Sequence, residues 1–72
     1  MYRINPIIYE IDGEYAGYAA ELPGATGQGR TIDEVVREIH EAVIGLIEEY
    51  KNRDVDIPWR KTVPHEPLVI ET

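Results

Sequence analysis

One amphipathic helix is the pattern that most constrains how this chain can fold. Thr31, followed three residues later by Glu34, forms a capping box, in which each side chain satisfies a backbone N–H at a helix start. Apolar residues then recur at three-to-four-residue spacing and form one helical stripe: Val35, Val36, Ile39, Ala42, Val43, Leu46, Ile47 and Tyr50. Because a chain of 72 residues holds only one small core, the rest of the chain must cover this stripe.

The segment before the helix predicts a β-hairpin. Residues 2–11 are rich in β-branched and aromatic side chains, which favour a strand, and Pro6 predicts a bulge or pairing that begins after it. Asp12-Gly13 is typical of a two-residue hairpin turn, because glycine adopts positive φ at low cost. Residues 15–22 are then the returning strand. Its expected core-facing side is Ala16, Tyr18, Ala20 and Leu22.

Short strands complete the predicted sheet. The glycines between Gly24 and Gly29 match no phosphate-binding loop, and they favour a short third strand with sharp turns. The connector, residues 52–67, contains Pro58, Pro64 and Pro67, which exclude a continuing helix. Residues 68–70 predict a final strand. The predicted fold class is therefore α+β: a single two-layer domain over residues 1–72, ordered strand-strand-strand-helix-strand, with one helix on one face of a small sheet.

Composition argues against several classes of function. Fourteen Asp and Glu outweigh seven Lys and Arg, and the formal charge of -7 opposes binding to a phosphate backbone, so we expect no direct nucleic-acid binding. Cysteine is absent, which excludes a thiolate nucleophile, and no apolar run approaches the ~18 residues that cross a membrane. Since no signal-peptide pattern opens the chain, we expect a soluble, cytoplasmic protein without membrane contact.

Residues that could support catalysis are sparse, and we expect no enzyme, no bound cofactor and no metal site. His40 lies at the edge of the helical stripe without a nucleophile partner, and His65 lies between prolines. A metal-dependent nuclease is a weaker alternative, because it needs several carboxylates converging at strand ends. Glu10 and Asp12 supply two such groups, and no third strand carboxylate obviously joins them.

Charged residues on the helix suggest a binding role. Glu34, Glu38 and Glu41 belong to an acidic side of the predicted helix. Such a side is either a solvated face or a docking surface for a basic partner. We expect these three glutamates to provide charge complementarity to a partner.

Aromatic residues suggest where a partner would pack. A two-layer domain buries one face of its sheet, and we expect Tyr9 and Tyr15 on the face away from the helix. Tyrosine suits an interface because it combines a large contact area with a polar tip, although ordinary amphipathic surface is the alternative. Trp59 is expected to anchor the connector, either on the fold or on a partner, and we expect Tyr9, Tyr15 and Trp59 to pack at the partner interface.

A series of short motifs runs along most of the chain in a fixed order. They are Glu21-Leu22-Pro23-Gly24-Ala25, Gly27-Gln28-Gly29-Arg30-Thr31, Asp33-Glu34-Val35, Glu41-Ala42-Val43 and Ile57-Pro58. In order and spacing they resemble the HicB antitoxin family. That family has Asp, Cys and Asp where this chain has Glu21, Ala25 and Arg30, so the surface chemistry of the loop differs while the Pro-Gly and Thr positions remain.

The resemblance implies a fold like part of a ribonuclease H sheet, without ribonuclease H catalysis. It also implies binding to a HicA-type toxin, a small basic mRNA-cleaving protein whose catalytic surface the antitoxin blocks. Many family members carry a C-terminal DNA-binding module, and because this chain ends at Thr72 we expect no such module here. The alternative is a stand-alone, self-associating HicB-like module without a toxin partner. We expect a homodimer or higher oligomer, which is compatible with both functions.

Overall fold

A computed structural model describes residues 1–71 and contains three strands and one helix. The strands are β1 (Pro6–Ile11), β2 (Glu14–Ala19) and β3 (Thr26–Gly29), and the helix α1 spans Ile32–Asn52. The strands form one antiparallel sheet in the order β1-β2-β3, and α1 packs on one face of it, mainly against β2 and β3. This arrangement confirms the predicted α+β class. Within residues 1–71, no helix is long and apolar enough to cross a bilayer.

The hairpin between β1 and β2 turns at Asp12 and Gly13, as predicted. Both residues have positive φ, 52° and 82°, which is the pattern of a type I′ turn and matches the twist of paired strands. Pairing runs from Ile11 opposite Glu14 back to Pro6 opposite Ala19. Pairing therefore begins at Pro6 itself and not after it. Proline is tolerated there because it begins an edge strand, where no hydrogen bond to a neighbouring strand requires an N–H group.

The face of β2 that packs against α1 is the opposite of the predicted one. Gly17 and Ala19 are buried and Tyr15 packs against the core, whereas Tyr18 is 44% exposed. Because side chains alternate along a strand, Ala16 lies on the same outer face as Tyr18. Ala16 and Ala20 suggested a face that a helix could approach closely, but in the structure α1 approaches the sheet over Gly17 and Ala19. Leu22 does enter the core, from the loop that follows β2.

Glycine makes the close contact between α1 and β3 possible. A Cβ atom at Gly27 would lie 2.9 Å from the carbonyl oxygen of Val35 and 2.9 Å from Cβ of Glu38. A Cβ atom at Gly29 would lie 2.7 Å from Cβ of Glu34. Real side chains do not pack at such distances, so the helix would have to move away. The glycines that predict the third strand therefore also set the spacing between helix and sheet.

The core is small and lies between α1, β2 and the loop that joins β2 to β3. Its buried residues are Ala19, Leu22, Ala25, Val35, Ile39, Val43 and Ile47. The helical members are four residues apart and form one line along α1, as the predicted stripe requires. Val36 is 41% exposed, so the buried line is narrower than the apolar stripe in the sequence.

The predicted final strand is not formed within residues 1–71. Leu68, Val69 and Ile70 are 83%, 85% and 77% exposed, and they pair with no strand. A strand forms only where its backbone N–H and C=O groups find a partner edge, and this segment lies against none. The observed order is therefore strand-strand-strand-helix, followed by an extended tail.

Candidate protein-binding surface

Large apolar side chains lie on the sheet face that α1 leaves open. Ile7, Tyr9 and Ile11 of β1 and Tyr18 of β2 are 43%, 47%, 55% and 44% exposed. We call these four residues the tyrosine face. None of them belongs to the core or packs against it. Their size is therefore not explained by the packing of this domain.

The strand register brings the two tyrosines of this face together. Ile7 lies opposite Tyr18 and Tyr9 lies opposite Ala16, so Tyr9 and Tyr18 are diagonal neighbours on adjacent strands. The small side chain of Ala16 leaves a groove of about 590 Å³ beside them, which Thr26, Gln28 and Glu38 also line. An apolar side chain of a partner could enter this groove, with the tyrosine hydroxyls available for hydrogen bonds.

Carboxylates border the tyrosine face along β3. Glu38 lines the groove beside the tyrosines, and it also lines a second groove together with Glu14 and Glu34. Glu41 continues this series along α1. We call Glu14, Glu34, Glu38 and Glu41 the acidic border. The structure thus brings the three predicted glutamates together, next to the face that carries Tyr9.

Two arginines lie within the same grooves. Arg37 lies beside Glu34 and Glu41, and Arg30 lies beside Glu14. The border therefore holds more carboxylates than guanidinium groups and remains anionic. No Lys or Arg occurs between Ile4 and Gly29, so the hairpin adds only negative charge to this side of the molecule.

Glu34 and Glu38 also cover the free edge of β3. Oε1 of Glu38 accepts a hydrogen bond from the Gln28 N–H at 2.9 Å, and Oε2 of Glu34 accepts one from the Arg30 N–H at 2.8 Å. Oγ1 of Thr31 accepts from the Glu34 N–H at 3.1 Å, so this half of the predicted capping box is confirmed. The Glu34 carboxylate binds the N–H of Arg30 instead of that of Thr31. The two glutamates therefore stabilise the fold and block the addition of a strand at this edge.

Tyr15 lies on the other face of the sheet. It is half-buried and packs against the core from the side of α1, so its predicted position was wrong. Tyr18 occupies the outer face instead, three residues along the same strand and therefore of opposite orientation. The sequence of the Asp12-Gly13 turn is enough to place Tyr18 on the same face as Tyr9. A two-residue turn places Tyr9 opposite Ala16, and Tyr18 must then share its face.

Trp59 anchors the connector to the fold. Its ring stacks on Tyr2, with ring centroids 4.9 Å apart, and it is 38% exposed. Next to it, the Arg60 N–H donates to the carbonyl oxygen of Glu21 at 2.8 Å, and Ile57 packs at the border of the core. Of the two anchoring roles predicted for Trp59, these contacts support the one on the fold.

Glu21 links the N-terminal segment, through Asn5, to the connector at this anchor. Its side chain is 9% exposed and accepts hydrogen bonds from the backbone N–H of Asn5 at 2.9 Å and from Nδ2 of Asn5 at 2.6 Å. Burial by itself raises the pKa of Glu21. The hydrogen bonds from Asn5, from the Glu21 backbone and from Thr62 outweigh that effect and hold its pKa below the ordinary value.

The histidines lie apart from the tyrosine face. His40 lines a small apolar groove between β1 and α1, and Nδ1 of His65 lies 2.7 Å from the carbonyl oxygen of Glu66. Among residues 1–71, no three His, Asp or Glu side chains converge as metal ligands would. What the tyrosine face and the acidic border offer is apolar contact area, hydroxyl groups and negative charge.

No family model, curated protein or solved structure matches this chain. Its function is therefore inferred from the surface that the fold presents. Aromatic side chains at the centre of a patch with charged groups at its rim are typical of protein–protein interfaces.

Proposed function

We propose that this protein is an antitoxin-like inhibitor that binds a small basic mRNA-cleaving toxin of the HicA type in the cytoplasm. One observation carries the proposal: the tyrosine face is large and apolar without serving the core, and the acidic border lies directly beside it. A protein that cleaves RNA needs cationic groups to bind phosphate. Carboxylates that meet those groups would keep RNA away from them.

The two parts of the surface would act differently on a basic partner. The acidic border and the net charge of -7 would speed the encounter by electrostatic attraction. Tyr9 and Tyr18 would then hold the complex, since aromatic residues at the centre of an interface contribute most to its affinity. Inhibition would be steric and electrostatic and would require no catalytic group on this chain.

The test begins with the partner and ends with RNA cleavage. The tagged chain is recovered from its native host at low salt, and a co-purifying small basic protein is identified by mass spectrometry and purified. We expect the chain to suppress RNA cleavage by that protein at near-physiological salt. Failure to bind or inhibit any such protein would overturn the proposal.

Matched variants test whether the tyrosine face makes the contact. We expect Tyr9→Ser with Tyr18→Ser to weaken partner binding by at least about 100-fold. Ile44→Ser is the control, because Ile44 is 45% exposed on α1 and lies outside the tyrosine face. Equal loss of binding in both variants would argue against this face.

Self-association through the tyrosine face is a second candidate function. The same apolar patch could pack against its copy about a twofold axis, because such an interface pairs a surface with itself. The acidic borders of the two copies would then repel, so added salt should strengthen the dimer. Binding to a basic partner should weaken with added salt. Sedimentation at several salt concentrations therefore separates the two functions by the sign of the effect.

A further inference from the structure

The backbone groups at one edge of the sheet have hydrogen-bond partners in the part of the chain that the structure describes, and those at the other edge do not. At β3, the carboxylates of Glu34 and Glu38 occupy the outward N–H groups of Arg30 and Gln28. At β1, no strand and no side chain within residues 1–71 pairs with the outer edge. An edge left open in this way can accept a further strand.

The hydrogen-bonding pattern identifies which groups of β1 point outward. The carbonyl oxygen of Asn5 accepts from the Ala20 N–H at 3.4 Å, so the backbone of Asn5 faces β2. Backbone groups alternate along an antiparallel strand, and those of Pro6, Ile8 and Glu10 must therefore face away from β2. Because proline has no N–H, the free edge offers the N–H groups of Ile8 and Glu10 together with three carbonyl oxygens.

An apolar groove adjoins this edge. It has a volume of about 140 Å³ and lies between the start of β1 and α1, lined by Ile4, Pro6, Val36, Ile39, His40 and Val43. The groove remains open because α1 packs mainly against β2 and β3. A strand added beside β1 would place every second side chain on the side of this groove.

The C-terminal tail has the properties of the missing strand. Leu68, Val69 and Ile70 are apolar and 77–85% exposed, and they lie outside the core and the residues packed against it. Leu68 and Ile70 are two residues apart, as are Ile8 and Glu10, so their backbone groups can pair with both of the free N–H groups. Pro67 lies just before the segment, at a position where a strand can begin without an N–H group to donate.

We propose that residues 68–70 of a second copy of this chain pair with the free edge of β1, and that two copies exchange tails in this way. The stacked pair Tyr2–Trp59, the Arg60 N–H and the Thr62 side chain hold the base of the tail on its own domain, and residues 68–70 beyond it are exposed. The radius of gyration is 14.2 Å, against about 11 Å for a compact domain of this length. The tail thus extends away from the compact part of the domain.

Reciprocal exchange increases the contact between the two copies. Each docked tail covers three apolar side chains and the groove that receives them, and twofold symmetry doubles the contact. The exchange leaves Tyr18 and the acidic border uncovered and places only Val69 on the side of Tyr9. Its test substitutes Leu68 and Ile70, which lie on the groove side, so the exchange can fail while the proposed inhibitor function stands, and the reverse also holds.

Sedimentation equilibrium of the full chain tests the exchange. We expect a dimer for the unmodified chain and at least about a 100-fold higher dimer Kd for Leu68→Ser with Ile70→Ser. Neither substitution can disturb the monomer fold, since both side chains are exposed there. Val63→Ser is the matched control, because Val63 is 78% exposed in the same tail but outside residues 68–70. A monomeric wild-type chain, or a double variant that dimerises equally well, would overturn the proposal.

Cross-linking decides whether the tail pairs with its own domain or with a second copy. The chain has no cysteine, so single cysteines can be introduced as Glu10→Cys in one preparation and Glu71→Cys in another. A short bismaleimide should join the two variants into one covalent dimer after mixing. A chain carrying both substitutions that instead links within itself, and stays monomeric in mass, would refute exchange between copies.

Discussion

The two faces of the sheet are built on opposite principles. The face beneath α1 carries Gly17, Gly27 and Gly29, and the open face carries Ile7, Tyr9, Ile11 and Tyr18. Ile8 and Tyr15 also pack on the inner side, so apolar size alone does not predict which face of the sheet is buried. The reason is that α1 supplies most of the core volume, so the strands beneath it must yield space.

Because of this difference, we expect one face of the sheet to determine stability and the other to determine partner binding. On the helix-covered face, a Cβ atom added at Gly27 or Gly29 meets α1, and one added at Gly17 meets the backbone of Ile7 in β1. On the open face, no such contact limits the size of a side chain. Substitutions on the first face should therefore change the free energy of unfolding, whereas substitutions on the second should change affinity for a partner.

The largest expected effect is that of Gly27→Val. Its Cβ would lie 2.9 Å from the Val35 carbonyl oxygen, so we expect a loss of about 3 kcal/mol in the free energy of unfolding, measured by urea denaturation. Gly45→Ala is the control, because a Cβ there meets nothing within 4 Å. It should stabilise the helix by about 0.5–1 kcal/mol. A neutral Gly27→Val would show that the helix does not require the close approach.

Glu21 provides the next test, through pH. Its pKa is lowered in the folded state, so the unfolded chain binds more protons as the pH falls below the usual value of 4.5. The stability that Glu21 contributes should be complete above that pH and lost as the pH falls through its folded pKa. Glu21→Gln should lower stability at neutral pH by about 1.5–3 kcal/mol, because an amide cannot accept both bonds from Asn5. Denaturation of both proteins between pH 3 and pH 7 checks this. Parallel curves for the two would contradict the assignment.

A smaller effect is expected at the covered edge of β3. Glu38→Ala removes the acceptor of the Gln28 N–H, and we expect a loss of less than about 1 kcal/mol with more aggregation as the edge opens. Glu38→Gln keeps a side-chain oxygen as acceptor while removing the charge. It should remain soluble yet bind a basic partner more slowly. Light scattering and stopped-flow binding separate the two effects, and identical behaviour of both variants would argue against the edge-covering role.

The smallest effect on stability is expected on the open face. Tyr9→Ser with Tyr18→Ser should change the free energy of unfolding by less than about 1 kcal/mol, because both side chains remain exposed in the fold. Thermal denaturation checks this against Gly27→Val. A loss as large as that of the glycine variant would remove the distinction between the two faces.

Features that depend on neighbouring residues were predicted well. The Asp12-Gly13 turn, the start of α1 near Thr31 and the line of Val35, Ile39, Val43 and Ile47 all appear where the pattern placed them. Positive φ, capping and helical spacing are local properties of the backbone, so nearby residues suffice to specify them. The final strand could not be predicted from nearby residues, because residues 68–70 form a strand only where another strand edge pairs with them.

The candidate site was predicted only in part. Glu34, Glu38 and Glu41 do lie together, and Tyr9 is on the open face, but Tyr15 is not. Tyr18 lies on the open face instead. Which β2 side chains are exposed depends on which face of the sheet α1 covers. The hydrogen bonds from β3 to Glu34 and Glu38 also escaped prediction, because they join segments that meet only when the helix packs on the sheet.

Local patterns in this chain were enough to place its turn, its helix and its α+β class, because each depends on backbone preferences over a few residues. Packing decided the rest. The distance between α1 and β3 determined which face of the hairpin is buried, and thereby which tyrosines remain available to a partner. Side chains of alternating orientation offered two possible faces, and only the glycines under the helix selected one of them.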